Sequence, residues 1–210
     1  MPASNTKSAN TKVQKVSKKL SWLLRHGAPS AGISMDAAGW VSVSDVLNTL
    51  SISPSELDEA VFENNKSRLE RSGDRIRACQ GHSRENMPVT LEALEASWTE
   101  YAGAGPIWHG THAAAISGIA RQGILAGERT HVHLAAELDS RVGKRANVDV
   151  MLSISPRHLR ENGFLVFESS NGVLLCRHVP VSCLIGLEAI SAAAKRDKNR
   201  LWALLFEGRK

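Results

Sequence analysis

Residues 68–79 read Arg68-Leu69-Glu70-Arg71-Ser72-Gly73-Asp74-Arg75-Ile76-Arg77-Ala78-Cys79. The central Ser72-Gly73-Asp74 is turn chemistry between two short runs that mix apolar and basic residues, which predicts a basic β-hairpin. Helices lie ahead of it. Val16, Leu20, Leu23 and Leu24 recur at helical spacing, so a helix is expected from near Ser17, and Gly27, Pro29 and Gly32 stop it. A short strand near Ile33–Met35 follows, then a helix capped by Ser44. Ser53-Pro54-Ser55-Glu56 is a capping box with proline in the first turn, opening a helix through Leu57, Ala60 and Val61. Helices followed by a small basic hairpin predict a winged helix-turn-helix, a module that presents positive charge to nucleic acid.

Charge is distributed unevenly. The chain of 210 residues carries a net +5. Residues 1–35 hold Lys7, Lys12, Lys15, Lys18, Lys19 and Arg25 and no acid. Residues 66–84 add Lys66, Arg68, Arg71, Arg75, Arg77 and Arg84 against Glu70 and Asp74, whereas residues 86–140 are acidic overall. A polyanionic partner would therefore meet the N-terminal part. Residues 1–15, rich in Ser, Asn, Thr and Lys, are expected to be a disordered basic tail.

Beyond the hairpin the pattern changes. Leu91, Leu94 and Trp98 predict a short helix, and Ala102-Gly103-Ala104-Gly105-Pro106 reads as an interdomain link. Strands are expected at Ile107–Thr111, His131–Leu134, Val150–Ile154, Phe164–Glu168 and Gly172–His178, with a helix over Ala113–Arg121 and a hairpin turn at Asn171-Gly172. Leu201–Phe206 is a last strand or helix. The expected class is α+β: residues 16–100 a winged-helix lobe and residues 106–210 a β-rich lobe.

Composition narrows the function. At 42% hydrophobic and 22% charged the chain can bury a core. It has no apolar run long enough to span a membrane and no apolar segment of a signal peptide, which predicts a cytoplasmic protein. Cys79, Cys176 and Cys183 are odd in number and widely spaced, as reduced thiols are. There is no Gly-x-Gly-x-x-Gly after a strand and no P-loop. His109, His112, His131 and His133 form two short clusters. They can be read as metal ligands, as histidines hydrogen-bonded in a polar cleft, or as the lining of a cleft for an oxygen-rich ligand.

Taken together these motifs have a specific order. Leu20-Ser21-Trp22-Leu23-Leu24-Arg25-His26, Asp36-Ala37-Ala38-Gly39-Trp40-Val41, Asn65-Lys66-Ser67-Arg68-Leu69 and Arg75–Ser83 come first. Trp108-His109-Gly110-Thr111, Gly127–Leu134, Val142-Gly143-Lys144-Arg145, Met151–Ile154 and Asn171–Pro180 follow. The set resembles the RNA 2′-phosphotransferase (tRNA 2′-phosphotransferase) family over roughly residues 16–190. Trp108 stands where that family usually has Tyr, Leu69 where it has Phe, and Ala146–Asp149 where a His-Gly and a Pro are common.

The resemblance implies a second lobe of ADP-ribosyltransferase type and a defined reaction. An internal 2′-phosphate of RNA, as left at a splice junction, attacks the nicotinamide ribose of NAD⁺ and nicotinamide leaves. The ribose 2″-hydroxyl then attacks phosphorus, giving RNA with a 2′-hydroxyl and ADP-ribose 1″,2″-cyclic phosphate. By the same resemblance Arg25, His26, Arg68 and Arg129 are catalytic, and His109, Gly110, Thr111 and His133 hold NAD⁺. Lys18, Lys19, Lys66, Arg71, Arg77, Gln80 and His82 face RNA, no metal is needed, and the protein acts as a monomer. A same-fold enzyme that ADP-ribosylates another phosphate or a protein is the alternative, and a winged-helix regulator with a ligand-sensing second half is a more distant one.

Overall fold

A computed structural model of the chain describes residues 4–63, 67–140, 142–143 and 147–207, with side chains described from residue 12 onward. It divides between Ser97 and Trp98 into two compact units, each with its own apolar core.

The first unit opens with α1 (Ser4–Trp22), which runs into a π turn (Leu23–Gly27) and a short 3-10 turn (Pro29–Ala31). The helix expected from near Ser17 thus begins at Ser4, and the tail expected to be disordered is helical from that residue. The cause is tertiary: Lys12 Nζ lies 2.7 Å from Glu56 Oε1 on a later helix, which ties the early turns of α1 down. Next come β1 (Val41–Ser42), α2 (Val43–Leu50), capped from Ser42 instead of Ser44, and α3 (Pro54–Phe62). The strand expected near Ile33–Met35 is reduced to a single bridge between Met35 and Val41.

The capping box forms as the sequence indicates. Ser53 Oγ accepts from the Glu56 amide at 3.3 Å, and Glu56 Oε2 accepts from the Ser53 amide at 2.8 Å. The hairpin is β2 (Leu69–Ser72) and β3 (Arg75–Ala78), and β1 joins it to make a three-stranded antiparallel sheet in the order β1-β3-β2. Leu20, Leu24, Val46, Leu57, Ala60 and Ile76 fill the core between helices and sheet. Helix α4 (Leu91–Ala96), capped by Thr90, closes the unit.

The second unit is richer in strand. Its elements run β4 (Thr99–Glu100), β5 (Ile107–Thr111), a 3-10 turn (Ala113–Ala115), α5 (Ile116–Gln122), β6 (Ile124–Leu125) and β7 (Val132–Leu134). Then follow β8 (Val150–Ile154), α6 (Pro156–Glu161), β9 (Phe167–Glu168), β10 (Leu174–Cys176), β11 (His178–Val179), β12 (Leu184–Ala189), α7 (Ala192–Arg196) and α8 (Lys198–Phe206). The apolar C-terminal segment is therefore a helix.

Three antiparallel groups result: β12-β8-β5, β4-β9-β10-β7 and β11-β6. Strand β8 is buried along its whole length, which fits its continuous Val-Met-Leu-Ser-Ile sequence in the middle of its sheet. A single bridge, Trp108 to Ala135, ties β5 to the end of β7, with both hydrogen bonds at 2.8 Å. No helix of the described residues is long and apolar enough to cross a membrane.

Candidate functional site

In the first unit the functional residues gather on the segment that leaves β3. The amide of Cys79 donates to the Arg68 carbonyl at 2.9 Å, and the amide of Ser83 donates to the Arg25 carbonyl at 3.0 Å. Ser83 also meets the next residue, its Oγ lying 2.8 Å from His26 Nδ1. Four residues of chain therefore carry the anchors of Arg25, His26 and Arg68, although the two arginines are 43 positions apart in sequence. Arg25 sits in the π turn, half-buried, with its Nε and Nη2 atoms shielded from solvent. A π turn has one more residue per hydrogen-bonded ring than an α turn and is used mostly at functional sites. Arg68 is half-buried at the open end of the hairpin, directly after Ser67, whose φ of 44° is left-handed.

The floor under this cluster is built from glycine and histidine. His82 is fully buried, and a methyl group added to Gly39 would fall 2.7 Å from His82 Nε2. Gly39 has φ of +85°, so it meets both a close approach and a conformation that side chains rarely adopt. Asp36 shapes the loop around it: its Oδ1 accepts from the amides of Ala38 and Trp40, both at 2.9 Å. Ser83 and Gly39 were not singled out as site residues by the sequence. The clue was their place inside the quoted motifs.

Three of the expected RNA contacts are corrected. Arg77 is 4% exposed and committed inward. Its Nε and Nη2 donate to Glu70 Oε2 at 3.0 and 2.9 Å, and its Nη1 donates to Ser97 Oγ at 2.8 Å and the Ala38 carbonyl at 3.3 Å. The guanidinium also lies 4.6 Å from the Trp40 ring centroid, a cation–π contact. Gln80 and His82 are buried as well, so they support the cluster from within. Arg71 is on the surface and paired with Asp58. Lys18 and Lys19 are exposed on α1, and Lys66 lies outside the described residues.

In the second unit the His-Gly-Thr and His-x-His motifs become neighbours. His109 Nδ1 donates to the His133 carbonyl at 3.0 Å. The carbonyl can only accept, so this bond fixes the proton on Nδ1 and leaves Nε2 as the acceptor nitrogen of the neutral ring. The bond also ends the β5–β7 ladder. Trp108 spends its amide and carbonyl on Ala135, and strand alternation turns those of Gly110 to the same edge. The next rung would face His133, whose carbonyl is taken by the His109 ring. Buried Gly110 thus presents main-chain groups at the point where the two strands part, and it has no side chain to block approach.

Nearby residues hold this junction in shape. Gly143 has φ of +76°, and a methyl group there would fall 2.0 Å from the Leu134 carbonyl oxygen, so only glycine fits. The Asp149 amide donates to the Thr111 carbonyl at 2.9 Å, and its Oδ2 accepts from the Ala113 amide at 3.1 Å and lies 3.3 Å from His112 Nδ1. Those contacts, with the Ala113 amide the largest, hold the Asp149 carboxyl below the usual carboxylate range. His131 is buried edge-on against Trp98, centroids 5.0 Å apart. Arg129 is exposed on the loop that enters β7, and half-buried Thr111 and His133 flank Gly110. Among the described residues no three His, Cys, Asp or Glu side chains are grouped to hold a metal ion.

A clamp of Arg and His for a phosphate and a glycine-edged strand junction are parts that a group transferase needs. Comparison with known proteins places the chain in such a class. A family described as RNA 2'-phosphotransferase, Tpt1 / KptA family, matches residues 10–178, and the chain belongs to that family. A protein of Pseudomonas syringae pv. tomato named "Probable RNA 2'-phosphotransferase" is 36% identical over 179 residues, covering 80% of this chain and 91% of its own. Proteins of the same name from Acaryochloris marina and Pseudomonas aeruginosa are 32% and 34% identical, over 82% and 79% of this chain and 96% and 92% of theirs. The protein is accordingly a transferase, and its family's substrate is RNA.

Proposed function

We propose that the enzyme removes an internal 2′-phosphate from RNA with NAD⁺ as co-substrate, releasing 2′-hydroxyl RNA, nicotinamide and ADP-ribose 1″,2″-cyclic phosphate. The observation that carries this reading is the anchoring of the Arg25-His26 turn and Arg68 on residues Cys79–Ser83. Two guanidinium forks and an imidazole held in one place suit a dianionic phosphate, which needs orientation and charge compensation more than it needs a base. With Nδ1 bound to Ser83, His26 would meet a phosphate oxygen through Nε2. Arg129 would add a further cation for the charge that develops at phosphorus. The first unit, with α1 to α3 beside a basic hairpin, would act as a winged-helix platform for RNA.

NAD⁺ suits the second unit. Its nicotinamide ends in a planar carboxamide with one donor face and one acceptor face, the complement of the amide and carbonyl of Gly110. His109, Gly110, Thr111 and His133 would hold it, in the manner of an ADP-ribosyltransferase lobe. When bound, NAD⁺ supplies an electrophilic ribose carbon with a good leaving group. The chain's task is then to keep water out and to hold the Gly110 edge rigid, which the His109–His133 bond and Gly143 do.

Incubation of the enzyme with a 2′-phosphorylated oligonucleotide and NAD⁺, followed by chromatography, tests the proposal. Nicotinamide and dephosphorylated RNA should appear in equal amounts, and excess chelator should not reduce them, because arginines carry the charge a metal would. Phosphate loss without NAD⁺, or none with it, overturns the reading.

A further inference from the structure

We propose that Trp22 is a stacking platform for a base of single-stranded RNA, set at the end of a lysine track on α1. This rests on the reading of the protein as an RNA enzyme and adds a base-binding residue to it. Trp22 ends α1 and is 57% exposed, unusual for the largest apolar side chain. Its ring is nevertheless fixed on one side. A methyl group on buried Gly27 would fall 2.3, 2.6 and 2.9 Å from three carbons of the Trp22 six-membered ring. The indole therefore lies on the glycine of the π turn, one residue beyond Arg25-His26, and offers its remaining surface to solvent.

The helix supplies the complementary charge. At about 100° per residue, Lys12, Lys19, Lys15, Trp22 and Lys18 fall in that order across an arc of about 120° on α1. Val16 and Leu20 lie on the other side, buried in the core. Lys12 is paired with Glu56, whereas no carboxylate pairs with Lys15, Lys18 or Lys19 among the described residues. A row of unneutralised ammonium groups leading to an immobilised aromatic face suits a single strand. The lysines follow its phosphates, and the ring stacks one base regardless of sequence. The occupant is then a nucleotide close to the phosphate that Arg25 and His26 would hold.

Binding of a labelled, unphosphorylated single-stranded RNA to the full chain, without NAD⁺, tests the platform. Trp22→Ala should weaken binding roughly 5- to 100-fold, the scale of one lost stack, while Trp22→Phe stays within about 3-fold of the parent. An RNA with one abasic nucleotide, moved along the strand, should lose affinity for the parent at one position and lose none for Trp22→Ala. Equal binding by parent and Trp22→Ala, no RNA binding by the parent, or equal loss in Trp22→Phe and Trp22→Ala would overturn the proposal. The assay involves no phosphate transfer, so its failure leaves the proposed reaction standing, and failure of the reaction leaves the stack measurable.

Discussion

His109 donates its Nδ1 proton to the main-chain carbonyl of His133, joining two motifs 24 residues apart in one hydrogen bond of 3.0 Å. The bond sets where β5 and β7 separate. Removing it in His109→Ala should raise the KM for NAD⁺ by about 3- to 10-fold, the scale of one net hydrogen bond, with a smaller change in kcat. Initial rates over a range of NAD⁺ concentrations measure the split, and an unchanged KM would count against a role in holding the dinucleotide.

Arg25 and Arg68 should respond to loss of shape as well as loss of charge. Alanine at either position is expected to lower turnover of a 2′-phosphorylated RNA by about 10²–10³, as for removal of one preorganised donor. Lysine keeps the charge but not the planar fork, so it should recover only part of the rate. Folded variants with near-normal turnover would show that these arginines serve the fold alone.

Arg77 separates structure from RNA contact. Arg77→Ala strips partners from Glu70, Ser97 and the Ala38 carbonyl and exposes the face of Trp40. Because the Glu70 side chain is 30% exposed, the cost should sit at the lower end of the about 3–5 kcal/mol seen when a buried ion pair loses one member. Thermal or urea unfolding reads it. The salt dependence of RNA binding should stay as it was.

Lys18 and Lys19 should behave in the opposite way. Each is exposed, so alanine variants are expected to unfold like the parent. If each meets a phosphate, each loss reduces the slope of log affinity against log salt by about 1. A slope unchanged in the double variant would remove α1 from the RNA interface.

Glu56 ties acid stability to the docking of α1. Lys12 first, then the amide and hydroxyl of Ser53, hold its carboxyl at about 2 in place of the ordinary 4.5. A carboxylate with a depressed value stabilises the fold above its unfolded value, and that contribution is lost as pH falls through the folded one. The Tm difference between the parent and Glu56→Gln should therefore be fullest above pH 4.5 and close by about pH 2. A difference that grows on acidification would reverse the assignment.

Local chemistry made much of the first unit legible. Ser53 with Glu56 specifies a cap within four residues, and Ser72-Gly73-Asp74 specifies a hairpin turn, so both follow from sequence. The length of α1 does not, since its early turns are stabilised by Glu56, more than forty residues on. Arg75 and Arg77 share a strand and look alike in sequence. Only the third dimension shows Arg77 covered by Trp40 and Ser97. The site motifs were visible as residue types, but which histidine atom meets which carbonyl is a tertiary fact. Asp149 drew no attention because its partners lie on Ala113 and the Thr111 carbonyl, far away in sequence.

The π turn at Leu23–Gly27 has a consequence for how the chain tolerates length change. A wide turn of this kind is an α-helix carrying one surplus residue, and the surplus sets the angular phase of everything after it. Deleting a single residue from this turn would let it relax to ordinary α geometry and rotate the following side chains by about 100°. His26 would then swing away from Ser83, and the Trp22 ring would lose its seat on Gly27. Single-residue indels here should abolish function while leaving the buried stripe of α1 intact, whereas indels in the exposed Gly103–Pro106 stretch change no such phase.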